Sequence, residues 1–221
     1  MERKYDAVIF DLDGTLLDTL EDLTNSVNAV MAQYQMPQYT REQIRSFVGN
    51  GIRRLMQLVI PGGEEHPQFT EIYEVFCTYY NAHCMDETEP YPGIMSLLEF
   101  LKKEGFRLAI VSNKADFAVK KLRDVYFKEL IEVAIGEREN VRKKPAPDTV
   151  YQALKELGVS KERAVYIGDS EVDIKTAFNA DMNEIIVTWG FRDRDFLLDQ
   201  GARLEWMADN VNEVKVLLQL I

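Results

Sequence analysis

Five short apolar runs recur along the chain and each gives way to small or polar residues: Asp6 to Asp11, Leu108 to Val111, Ile131 to Ile135, Ala164 to Ile167, and Ile185 to Val187. Continuous runs of this length predict strands buried on both faces. Between them, apolar residues return at helical spacing. Ile94, Leu97, Leu98 and Leu101 precede a stop at Gly105, and Val150, Leu154 and Leu157 precede Gly158, which are ordinary helix punctuation. Strands alternating with helices predict a parallel sheet and an α/β fold.

The interval between the first run and Pro90 breaks that rhythm. It is much longer than one crossover and holds no convincing strand. Leu20, Leu23, Val27, Val30, Met31 and Tyr34 fall on one helical stripe. Thr40 and Gln43 form a capping box ahead of Ile44, Phe47 and Val48. Gly49-Asn50-Gly51 and Pro61-Gly62-Gly63 then separate a helix bearing Ile52, Leu55, Met56 and Val59 from one bearing Phe69, Ile72, Phe76, Tyr79 and Tyr80. The pattern predicts a four-helix domain at 18–85, inserted into an α/β domain built from 1–17 and 86–221. Its aromatic and Met stripes read as core. Arg53 and Arg54, just after Gly51, read first as solvated charges and second as contacts for an anionic ligand at a helix start.

Composition narrows the function. In 221 residues, 46% are hydrophobic and 29% charged, as a packed domain requires. No apolar run is long enough to cross a bilayer and no signal sequence precedes the first strand, so the cytoplasm is the expected compartment. A formal charge of −11 disfavours nucleic acid and anionic membrane as partners. Cys77 and Cys84 are two helical turns apart, too far to bridge, and read as buried reduced thiols. With His66 and His83 alone beside them, a zinc site is not expected. Oligomeric state is left open between monomer and homodimer.

In open parallel sheets, ligands sit beyond the carboxyl ends of the strands. The residues found there are Asp11 and Asp13 after the first run, Ser112, Asn113 and Lys114 after the second, and Gly168, Asp169, Ser170 and Asp173 after the fourth. Four carboxylates in one place disfavour one another's ionisation unless a cation joins them. Oxygen-only ligands suit Mg²⁺, which is commonly shared with a substrate phosphate. Lys144, in the basic run Arg142-Lys143-Lys144-Pro145-Ala146-Pro147, supplies further positive charge. A plain Asp-Gly turn would explain Asp13-Gly14 alone, but not the set.

Taken in order, Asp11-Leu12-Asp13-Gly14-Thr15, Ser112-Asn113, Lys144-Pro145-Ala146-Pro147, and Gly168-Asp169-Ser170 with Asp173 resemble the four motifs of the haloacid-dehalogenase-type hydrolases. The resemblance spans nearly the whole chain. It implies a Rossmann-like three-layer core and a small α-helical cap, with Tyr91-Pro92-Gly93 marking re-entry to the core. It further implies that Asp11 is the nucleophile forming an aspartyl-phosphate and that Asp13 protonates the leaving group and activates water. Ser112 and Lys144 would bind the phosphoryl group, with Asn113, Arg53 and Arg54 as further substrate contacts. Mg²⁺ would be held by Asp11, the Asp13 carbonyl and Asp169, with Asp173 completing or orienting the set.

Within the family, Ser112-Asn113-Lys114, Gly168-Asp169-Ser170, Val48-Gly49-Asn50-Gly51 and Thr188-Trp189-Gly190-Phe191 look most like phosphoglycolate phosphatases, so the expected substrate is a small-molecule phosphate monoester. Pyrophosphatases and nucleotide or sugar-phosphate phosphatases share these signatures. A β-phosphoglucomutase-type mutase and a non-catalytic phospho-ligand sensor are further alternatives. One departure stands out. Where relatives end the helix after the last motif with glycine, this chain has Asn179-Ala180-Asp181-Met182, which predicts a left-handed Asp181.

Overall fold

Strand β1 (Ala7–Phe10) is apolar throughout and fully buried, because both its faces are covered and both its edges are paired. The computed structural model describes residues 4–220. After β1 come β2 (Leu17–Asp18), α1 (Leu20–Gln33), α2 (Arg41–Phe47), α3 (Ile52–Val59), α4 (Phe69–His83) and β3 (Glu89–Pro90). The chain continues through α5 (Ile94–Lys103), β4 (Arg107–Ala115), α6 (Asp116–Tyr126), β5 (Val133–Glu137), α7 (Asp148–Leu157), β6 (Ala164–Gly168) and α8 (Glu171–Ala180). It ends with β7 (Asn183–Val187), α9 (Arg194–Asp199), β8 (Met207–Ala208) and α10 (Val211–Leu220).

Six strands form one parallel sheet in the order β5-β4-β1-β6-β7-β8. The expected α/β fold, a parallel sheet flanked by helices, is what the chain adopts. The first strand in sequence therefore lies centrally, with Phe10 in register with Ile110 of β4 and Ile167 of β6. Side chains alternate across the sheet. Ala7, Ile9, Ala109, Val111 and Tyr166 pack with Val150, Ala153, Leu154 and Leu157 of α7 and Ala177 and Ala180 of α8. Val8, Phe10, Leu108 and Ile110 are buried on the other side.

Two compact units divide the chain, one made of residues up to Leu17 and from Pro90 onward, the other of Asp18–Glu89. In the second unit, α2 begins with the capping box of Thr40 and Gln43, the Gln43 amide donating to Thr40 Oγ1 at 3.3 Å and the Thr40 amide to Gln43 Oε1 at 2.8 Å. Asp22, 2% exposed, accepts hydrogen bonds from the Glu87 amide, the Thr88 amide and the Thr88 hydroxyl at 2.7–2.9 Å.

Three details depart from the sequence reading or go beyond it. The long interval is not purely helical at its ends, since β2 and β3 pair as a two-stranded sheet; two residues apiece carry no periodicity to read. Cys77 is only half-buried, while Cys84 is buried, and both are free thiols. The segment after β7 holds α9, β8 and α10, for which the sequence reading named no element. Asp181 does close α8 in the left-handed region, at φ 53° and ψ 49°. No helix among the described residues is long and apolar enough to cross a membrane.

Candidate active site

Asp11 follows β1 directly, and its amide donates to the Ile167 carbonyl of β6 at 2.8 Å, extending the ladder by one residue. The chain then curls on itself. The amides of Leu16 and Leu17 both donate to the Leu12 carbonyl at 3.0 Å, and the Gly14 amide donates to the Leu17 carbonyl at 2.9 Å. Gly14 takes a φ of +88°, which a side chain would resist. This curl holds Asp11, Asp13 and Thr15 at the centre of the sheet's carboxyl edge, where β4 and β6 also end.

Lys144 is buried at this edge, 4% exposed. Its ammonium lies 2.8 Å from Asp11 Oδ1 and 2.8 Å from Asp173 Oδ1, and it donates to the Tyr166 hydroxyl at 3.1 Å. Asp173 is wholly buried and engages both its oxygens. Oδ1 accepts from Lys144 and from the Tyr166 hydroxyl at 2.9 Å, while Oδ2 accepts from the amides of Asp169 and Ser170 and from the Ser170 hydroxyl at 2.6 Å. Ser170 and Asp173 thereby form the capping box that starts α8, so a helix cap and an ammonium holder are one carboxylate.

Asp169 is clasped from two sides. Its Oδ1 accepts from the Thr15 hydroxyl at 3.1 Å and its Oδ2 from the Phe191 amide at 2.7 Å. The Trp189 indole donates to the Thr15 carbonyl at 3.1 Å, tying the loop after β7 to the curl after β1. Gly190 lies in the narrowest part of this clasp.

Asp13 faces the end of β4. Its Oδ1 takes the Lys114 ammonium at 2.7 Å, and the Ser112 hydroxyl is 3.5 Å from its Oδ2. Lys114 is itself buried, and its amide donates to the Ser112 hydroxyl at 3.2 Å. Asn113 turns its side-chain amide to the Lys144 carbonyl at 3.0 Å, which pins the loop carrying Lys144.

Burial dominates the electrostatics. It pushes the Asp11 carboxyl well above the ordinary range; Lys144 opposes the shift, while Asp173 and Asp169 add to it. Asp169 is pushed up to about 7, first by burial and then by Asp173. Lys144 is held charged despite its burial by Asp11 and Asp173. Asp11, Asp169 and Asp173 each bring a carboxylate oxygen within 4.8 Å of the others, with one ammonium among them. That surplus of buried negative charge, on oxygen donors alone, fits a hard cation.

Of the residues singled out in the sequence, Asp11, Asp13, Ser112, Asn113, Lys144, Asp169 and Asp173 converge here. Arg53 and Arg54 belong to the helical unit. Arg53 pairs with Glu64 at 2.7 Å and lies over the rings of Phe69 and Tyr73, and Arg54 donates to Gln57 at 3.0 Å. Sequence reading gave Tyr166 and the Phe191 amide no part in the site. The amide leaves no trace in side-chain chemistry, but a tyrosine within a buried strand is a signal, because its hydroxyl needs a partner.

The family model for haloacid dehalogenase-like hydrolases matches residues 8–187. The chain is 31% identical to a phosphoglycolate phosphatase of Aquifex aeolicus over 92% of this chain and 96% of that one. It is 30% identical to an N-acetylmuramic acid 6-phosphate phosphatase of Pseudomonas aeruginosa over 84% of this chain and 82% of the other. A crystal structure of a protein from Lactobacillus delbrueckii subsp. bulgaricus superposes with a TM-score of 0.92 at 37% identity, covering 98% of this chain and 99% of that one.

Proposed function

Since the chain belongs to the haloacid dehalogenase-like hydrolases, we propose that it is a Mg²⁺-dependent phosphatase acting on a small-molecule phosphate monoester of the phosphoglycolate kind through an aspartyl-phosphate. The observation that carries this reading is the meeting of Asp11, Lys144 and Asp169 at the end of the central strand, with Asp13 two residues beyond the first. The relatives named as phosphoglycolate phosphatases support the substrate. The relative named for a sugar 6-phosphate supports a second reading, a sugar-phosphate phosphatase.

In the proposed reaction, a carboxylate oxygen of Asp11 attacks phosphorus, and the bond from phosphorus to the substrate's ester oxygen breaks. Asp13 gives its proton to the departing alkoxide. It then takes a proton from a water that attacks the phosphorus on Asp11, which releases inorganic phosphate and restores both carboxyl groups. Lys144 and the Ser112 hydroxyl receive the phosphoryl oxygens, and Asn113 fixes the backbone of Lys144. Mg²⁺, when held by the carboxylates of Asp11 and Asp169 and the Asp13 carbonyl, would offset charge on the transferring group. Asp173 orients this set, because its oxygens already accept five hydrogen bonds.

We assign 18–85 as the cap of a core made of 1–17 and 86–221, with Arg53 and Arg54 as its candidate contacts to the substrate. The enzyme is proposed to work in the cytoplasm as a monomer or homodimer, without nucleic acid. The decisive experiment is turnover of phosphoglycolate and of an aryl phosphate, with and without Mg²⁺, by the native chain and by Asp11→Asn. Metal-dependent hydrolysis lost in the variant is expected; a native chain that turns over neither compound refutes the reading.

A further inference from the structure

Tyr166 sits in the middle of β6, in register with Ile9 of β1 and Glu184 of β7, and is fully buried. Its ring belongs to an apolar cluster with Ile9, Val111, Ala164 and Ala177. A phenylalanine would serve that cluster equally well, and would avoid the cost of taking a hydroxyl out of water. The hydroxyl is nevertheless fully used, donating to Asp173 Oδ1 at 2.9 Å and accepting from Lys144 Nζ at 3.1 Å.

An ammonium has three protons to donate. Lys144 donates to Asp173 and to Tyr166 and forms an ion pair with Asp11, so an arriving phosphoryl oxygen competes with these partners for the ammonium. The two carboxyl groups form ion pairs with the ammonium at 2.8 Å, and charge-assisted bonds are about twice as strong as neutral ones. The tyrosine is neutral and its bond is the longest of the three. It can be given up at least cost, and the hydroxyl then keeps its own bond to Asp173.

We propose that Tyr166 is a positioning residue that holds the third donor of Lys144 until a phosphoryl oxygen replaces it. This rests on the phosphatase reading for its consequence in catalysis. Without the hydroxyl, Asp173 Oδ1 loses a bond that persists after the phosphoryl oxygen has arrived, and the ammonium that this oxygen holds shifts with it. Lys144 then meets the phosphoryl group out of alignment, which slows the chemical step more than it weakens substrate binding.

The test is Tyr166→Phe in the full chain with Mg²⁺, assayed on phosphoglycolate and an aryl phosphate. We expect kcat to fall about 10-fold with KM changed less than about 2-fold, as for an interaction made in the transition state. A kcat within about 2-fold of native, or a loss confined to KM, overturns the proposal. A second measurement does not depend on turnover. In ¹H–¹⁵N spectra, the Lys144 ammonium protons should exchange slowly in the native chain and at least about 10-fold faster in Tyr166→Phe, as expected when a buried hydrogen bond is lost. Equal exchange overturns the proposal even if the native chain proves to hydrolyse neither substrate, so the two readings fail separately.

Discussion

A Cβ placed on Gly190 would lie 2.3 Å from Asp169 Oδ2 and equally close to the Gly14 carbonyl. No side chain can enter that gap without moving the carboxylate or the curl that carries Asp13. Gly190→Ala is therefore expected to lower Mg²⁺ affinity by at least about 10-fold, the usual effect of disturbing groups that orient a metal ligand. Thermal shift on titrating Mg²⁺ checks this without reference to turnover: native protein should rise in Tm, and the variant should need far more metal to do so.

Lys114 and Asp13 form the second close pair, at 2.7 Å with both side chains largely enclosed. Lys114→Met keeps the stem but removes the ammonium that Asp13 Oδ1 accepts, which loosens the carboxyl proposed to serve as acid and base. A fall in kcat of about 10-fold or more is expected, on the scale of general acid catalysis. Unchanged kcat would mean that Asp13 is placed without help from Lys114.

Stability should respond to pH through Glu184. This side chain is 8% exposed and lines a cavity of about 240 Å³ with Ile174, Phe178, Met182, Gly201 and Arg203. Burial pushes its carboxyl up to about 7, opposed by Arg203 and reinforced by Asp173. The folded state thus holds the proton more tightly than the unfolded chain, where the ordinary value is 4.5. Its contribution is whole below that value and is lost as pH climbs to about 7. Glu184→Gln should flatten this decline by on the order of 1 kcal/mol, read by urea unfolding at about pH 5 and pH 8. Parallel declines in the two proteins would count against it.

Asp22 binds the chain where it leaves the helical unit, accepting from the Thr88 amide and hydroxyl at 2.9 and 2.7 Å. Asp22→Ala strands these buried donors and should cost about 1–3 kcal/mol. Denaturant unfolding measures it, and kcat per folded molecule should change little, since Asp22 has no part in the proposed phosphoryl transfer.

Much of the site was legible because parallel sheets concentrate function at one edge. Once β1, β4 and β6 could be read from apolar runs, the polar residues that follow them had to lie together, and Asp11, Ser112 and Asp169 were found by that rule. Lys144 was legible only through the motif it completes, since a basic loop before a helix is common. Tyr166 was hidden by its neighbours: a lone hydroxyl in an apolar run reads as strand, and nothing local says that Asp173 will fold back beside it. The Phe191 amide and the Gly190 gap lie in a loop whose side chains carry no acid or base, so only coordinates could bring them to Asp169. The short β2, β3 and β8 were beyond reach because two residues define no period.

The place of β1 between β4 and β6 also bears on how the protein is made. Asp11 emerges early in synthesis, but its strand neighbours lie about a hundred and about a hundred and sixty residues downstream, and pairings over such separations form slowly. A growing chain therefore carries Asp11 long before it has the lysine that pairs with it or the aspartate that completes the carboxylate cluster. A fragment that stops short of Asp173 holds Asp11 and Lys144 without the second carboxylate that fixes the ammonium.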